Sequence, residues 1–177
     1  MVITLFAGSR ISSDAGAVDS ARRFGAMCAQ RTHTLAFGGT GQGLMSIAAQ
    51  AALETGGSVV GIYCDVLYGV EPPMTGLSRM ESLPTLAARR SRLIDIADLI
   101  VALPGGVGTL DELFEAVALR SLGLLRAKIA LLNVNGFFNA TLDQMERQRR
   151  DGLMPRDADW LQACESPEDV FQLPQMG

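Results

Sequence analysis

Lysine is nearly missing from this chain: fourteen of its fifteen basic residues are arginine, and Lys128 stands alone. An enzyme that anchors pyridoxal phosphate does so through a lysine Schiff base. Lys128 sits in Arg126-Ala127-Lys128-Ile129-Ala130-Leu131-Leu132, at the start of an apolar strand, and makes a poor anchor. Histidine is as scarce. A Ser-His-Asp triad would have to use His33, and no GxSxG elbow accompanies it. The three cysteines, Cys28, Cys64 and Cys164, are odd in number and lack CxxC spacing. They read as buried thiols, not as a disulfide frame or a zinc site. No apolar run approaches the roughly 18 residues that span a bilayer, and no basic segment followed by an apolar one opens the chain. A soluble, cytoplasmic protein without a membrane partner is expected. Charge is sparse too, at 19% of residues with a net of −4. Without a Lys/Arg stripe, a nucleic acid polymer is not an expected partner.

What remains is an apolar chain of 177 residues, 48% of them hydrophobic, enough for one core and one domain over residues 1–177. Short apolar runs alternate with helical patterns throughout. Strands are expected at 2–7, 34–37, 58–63, 79–83, 98–103 and 129–134. Helices are expected at 14–30, from 44 to about 55, from 84 to about 97, and at 109–122, 137–150 and 166–171. Residues 64–77, with Pro72 and Pro73, read as irregular. Such alternation predicts an α/β fold: a Rossmann-like, doubly wound parallel sheet with helices on both faces.

Three glycine-bearing turns fall at the carboxyl ends of expected strands, where such folds bind ligands. They are Gly8-Ser9, Gly38–Gly43 and Pro104–Thr109. The last places three glycines within four residues between a buried strand and a helix, a natural cradle for phosphate. It is not a Walker A loop, because no Lys-Ser/Thr follows. Nor is it a dinucleotide fingerprint, since the third glycine of GxGxxG would fall at Asp111, and at Leu44 in the earlier loop.

Thr109 and Glu112 have the spacing of a capping box, so Glu112 is a helix cap or a catalytic carboxylate. Periodicity turns Leu110, Leu113, Phe114 and Val117 toward the core and Asp111 outward. Arg89, Arg90 and Arg92 form a solvated basic face, or else they overhang the same strand edge and supply fixed charge to a phosphate or carboxylate.

Leu103-Pro104-Gly105-Gly106-Val107-Gly108-Thr109-Leu110-Asp111-Glu112 resembles the PGGxGTxxE signature of the LOG family, the cytokinin riboside 5′-monophosphate phosphoribohydrolases often labelled lysine decarboxylases. Arg89-Arg90 stand where that family has its upstream basic pair. Gly38–Met45 resembles its GGGxxGLMG loop, Phe6-Ala7-Gly8-Ser9 its FCGSS, and Leu131–Phe138 its LLNVDGYY.

The resemblance implies cleavage of the N-glycosidic bond of a purine nucleoside 5′-monophosphate to free base and ribose 5-phosphate. It implies no metal or cofactor, and a homodimer or larger assembly. Arg89 and Glu112 match the catalytic pair. Glu71, Arg90, Gly105, Gly106, Val107, Gly108 and Thr109, with Gly39, Gly8 and Ser9, match or adjoin substrate-binding positions. Departures from the pattern are Arg10, Thr40, Ser46, Cys64, Leu86, Ala118, Leu119 and Ser121. A nucleotide- or cofactor-carrying protein of the same fold is the alternative.

Overall fold

The computed structural model describes residues 1–10, 12–155 and 157–173. Seven strands form one sheet: β1 (Val2–Phe6), β2 (Thr34–Phe37), β3 (Ser58–Cys64), β4 (Arg79–Leu83), β5 (Leu99–Ala102), β6 (Lys128–Leu132) and β7 (Leu161–Cys164). All neighbouring pairs are parallel, in the order β4-β3-β2-β1-β5-β6-β7. The α-helices among the described residues are α1 (Ala15–Gln30), α2 (Gly43–Glu54), α3 (Leu86–Asp95), α4 (Val107–Ser121), α5 (Asn139–Arg150) and α6 (Pro167–Val170). The expected doubly wound architecture is the one observed.

Alternation along the central strands sends side chains to both faces. Ile3 and Leu5 of β1 meet Phe24 of α1 and Ala48 of α2, whereas Phe6 joins Leu93 of α3 and Leu113 of α4. Strands covered on both sides are therefore apolar almost throughout. Thr4 is the exception on β1, and its buried hydroxyl donates to the Leu93 carbonyl at 2.8 Å, which satisfies it. The cysteines Cys28, Cys64 and Cys164 are free and buried, and burial pushes the Cys28 thiol up to about 12.

Sheet order reverses between β1 and β5. Chains leaving these strands diverge to opposite sides and open a crevice at their carboxyl ends. The loops of the two strands are tied there, with the Gly8 N–H donating to the Pro104 carbonyl at 3.1 Å. The Leu44 N–H, in the first turn of α2, donates to the Gly8 carbonyl at 2.9 Å.

Several boundaries differ from expectation for local reasons. Pro84 does not open α3; Thr85 caps it, its hydroxyl accepting from the Ala88 N–H at 3.1 Å. Residues 137–138 are not helical, because a 3-10 turn at Val134–Gly136 contains Asn135 in the left-handed region at φ 52°. Phe114 is 39% exposed instead of in the core, since α4 rests on Leu113, Ala116 and Val117.

Helices α1 and α2 lie so close that a Cβ at Gly25 would sit 1.9 Å from the Ala48 carbonyl oxygen. Backbone cannot yield there as a flexible side chain would. Gly25→Ala should lower stability by on the order of 2 kcal/mol, read as a shift in the urea midpoint. An unchanged midpoint would contradict this packing.

Candidate active site

A cavity of about 540 Å³ occupies the crevice between β1 and β5. Its lining includes Gly8, Ser9, Arg10, Glu71, Arg89, Arg90, Gly106, Val107, Gly108, Thr109, Asp111 and Glu112. Its size suits a small organic ligand.

Helix α4 forms one wall. It begins at Val107, two residues earlier than expected, with Gly106 as N-cap and no side chain capping it. The first N–H groups of a helix have no partner within it, so those of Val107, Gly108 and Thr109 are available at the positive end of the helix dipole. Since α4 starts at Val107, Thr109 and Glu112 are not a capping box. Thr109 is buried behind the turn, and a Cβ at Gly105 would sit 2.1 Å from its hydroxyl.

Glu112 lies one turn further on, its side chain 13% exposed and facing Arg89 of α3. Arg89 Nη1 donates to Glu112 Oε1 at 3.3 Å. The rest of the guanidinium is fastened to the ends of two strands. Its Nε donates to the Ile62 carbonyl at 2.9 Å, and its Nη2 to the Gly38 carbonyl at 3.1 Å. Arg89 is thus buried with an acceptor on each of its three guanidinium nitrogens, not part of a solvated face. Arg90 turns the other way, pairing with Asp111 at 2.9 Å and with Glu115. Arg92 binds Glu81 at 3.1 Å, away from the cavity.

Burial pushes the Glu112 carboxyl up to about 7. Arg89 and Arg90 pull it down, whereas Asp111 and Glu71 push it up. A group of this kind in a cleft is a candidate for acid–base or electrostatic work near neutral pH.

Glu71 reaches the cavity from the Pro-rich loop. Ser9 Oγ donates to its Oε1 at 2.6 Å, and the Tyr63 hydroxyl donates to its carbonyl at 2.7 Å. The earlier glycine loop holds this segment in place: the Gly41 N–H donates to the Pro72 carbonyl and the Met74 N–H to the Gly39 carbonyl, each at 2.9 Å. Gly39, with φ +74°, and Gly105 lie behind the cavity and do not line it. Gly38, the neighbour of Gly39 and not among the site residues the resemblance names, is the one that matters to the site: a Cβ there would sit 1.6 Å from Arg89 Nη2. A glycine pair ending a strand was the available signal, and only contact with Arg89 tells the two apart.

Among the described residues no group of three or more His, Cys, Asp or Glu side chains could hold a metal, and no helix is long and apolar enough to cross a membrane.

The family profile described as possible lysine decarboxylase matches residues 45–173. The chain belongs to the LOG family. It is 31% identical over 153 residues to a probable cytokinin riboside 5′-monophosphate phosphoribohydrolase of Oryza sativa subsp. japonica, covering 86% of this chain and 67% of that one. It is equally identical over the same length to the cytokinin riboside 5′-monophosphate phosphoribohydrolase of Rhodococcoides fascians, covering 86% and 77%. Among solved structures, the molybdenum cofactor carrier protein of Chlamydomonas reinhardtii superposes with a TM-score of 0.74 at 18% identity, over 97% of this chain and 96% of that one. The molybdenum cofactor binding protein of Rippkaea orientalis gives 0.71 at 19%, over 97% and 93%. These two share the fold with this LOG-family chain, and at that identity nothing beyond the fold follows.

Titration of Glu112 has a direct consequence for stability. The carboxyl ionises at its ordinary 4.5 when unfolded and at about 7 when folded, so the folded chain binds the extra proton between these values. The contribution of Glu112 to stability is therefore fully present below about 4.5 and is lost as pH rises to about 7, by roughly 3 kcal/mol. Denaturant midpoints at pH 5 and 8 should show this step in the native protein and lack it in Glu112→Gln. The same pH dependence in both proteins would contradict it.

Proposed function

We propose that this LOG-family protein hydrolyses the N-glycosidic bond of a purine nucleoside 5′-monophosphate, releasing free base and ribose 5-phosphate. The observation that carries this reading is the pairing, on one helix, of an uncapped N-terminus and a buried carboxylate one turn beyond it. Glu112 lies five positions after Val107, about 7.5 Å along the helix, and helical side chains lean back toward the N-terminus. A phosphate on the N–H groups of Val107, Gly108 and Thr109 would leave the ribose beside Glu112. Its placement there turns an encounter into a fixed geometry.

Departure of the base leaves an oxocarbenium-like ribose. The Glu112 carboxylate stabilises that charge and is positioned to take a proton from the attacking water. Arg89 orients the carboxylate and favours its ionised form. Glu71, held by Ser9, supplies a second acceptor for a sugar hydroxyl. Arg90, spent on Asp111 and Glu115, braces α3 against α4. Val107, Phe114, Leu122 and Leu124 leave an exposed apolar strip along and just past α4, which supports association of two or more copies.

Chromatography of reactions with AMP, isopentenyladenosine monophosphate, GMP and their nucleosides tests the reading. Free base should appear from monophosphates, and kcat/KM should rise with pH through about 7 as Glu112 ionises. Glu112→Gln should still bind nucleotide and lose turnover by roughly 100- to 10,000-fold. Nucleotide binding without base release from any substrate would favour the carrier alternative. Full turnover by Glu112→Gln would remove the carboxylate from the reaction.

A further inference from the structure

Arg89 and Arg90 already offset Glu112 and Asp111 in the cavity wall, so a bound phosphate would add charge that neither arginine is free to meet. Glu71, Asp111 and Glu112 all line it. Of the three arginines in its wall, Arg89 is committed to Glu112 and two carbonyls, and Arg90 to Asp111 and Glu115. The third, Arg10, is exposed and makes no ion pair with any described residue. The α4 N-terminus offers only about half a unit of positive charge, and no side chain caps it.

Position fixes what Arg10 can reach. It follows Gly8-Ser9 directly, and the Gly8 backbone lies against the turn that leads into α4. The Gly8 N–H is bonded to the Pro104 carbonyl, and a Cβ on Gly8 would sit 3.3 Å from the Gly105 Cα. Arg10 thus leaves the β1 loop beside the uncapped helix end. Glu71, bonded to Ser9 at 2.6 Å, marks the adjoining side of the same loop.

We propose that Arg10 binds the 5′-phosphate together with the α4 N-terminus and sets the preference of this site for phosphorylated over unphosphorylated nucleosides. The inference rests on the nucleotide reading given above and names the residue that reads the charge. A guanidinium suits the task because it stays ionised at any working pH and presents paired donors to phosphate oxygens.

Kinetics with AMP as substrate and adenosine as competitive inhibitor separate charge from shape. Arg10→Gln should raise KM for AMP about 10- to 100-fold while the adenosine inhibition constant moves less than about threefold. Arg10→Lys, which keeps the charge, should recover most of the loss, and added salt should narrow the gap between native protein and Arg10→Gln. An unchanged KM for AMP in Arg10→Gln would overturn the proposal, as would equal weakening of AMP and adenosine. If the native protein releases no base from AMP, the hydrolase reading fails, and calorimetry with AMP and adenosine decides this one separately. Weaker AMP binding by Arg10→Gln with adenosine unaffected supports it; equal AMP binding by the two proteins overturns it.

Discussion

The guanidinium of Arg89 ties the site to the sheet. It accepts no hydrogen bond and keeps its charge, so burying it demands acceptors for its donors. Two are carbonyls at the ends of β2 and β3, and the third is the Glu112 carboxylate. The arrangement fixes α3 above the strand ends, makes glycine necessary at position 38, and presents a carboxylate to the cavity from α4. Removing one partner of so buried a pair is far more costly than the pair is stabilising, because the survivor is left without compensation.

Around this pair, the loops divide the labour unequally. The β5 loop and α4 provide an anion-seeking helix end, left open by Gly106. The β1 loop closes against it and carries Ser9 and Arg10 into the cavity. The β2 loop makes no direct contribution through Gly39. It instead pairs with residues 72–74 and so delivers Glu71 to Ser9. Three glycine turns at one sheet edge thus amount to one open helix end, one wall and one brace.

Much of the fold was legible because strand and helix periods are local properties. The β2 and β4 expectations match the observed residues, and most other elements lie within two residues of theirs. β7 was not among the expected strands, and the other misses are local conflicts. Thr109 mimics a cap, but α4 starts ahead of it, at Val107, with Gly106 as N-cap and Gly105 packed against the Thr109 hydroxyl. Asn135 adopts a left-handed conformation that delays α5. Of the residues that the resemblance names, Arg89, Glu112, Ser9 and Glu71 lie together around the cavity. The choice between Gly38 and Gly39, and the commitment of Arg90 to Asp111 and Glu115, depend on contacts between residues far apart in sequence. No local pattern encodes them.

A carboxyl titration by ¹³C NMR, with Glu112 assigned in the native protein and in Arg89→Gln, addresses the central pair most directly. Burial beside the Arg89 guanidinium predicts ionisation near 7 in the native protein and a higher value once Arg89 is replaced, since its charge favours the carboxylate. An ordinary value near 4.5 in the native protein, or no rise in the variant, would contradict the account of Arg89 as the residue that holds and tunes Glu112.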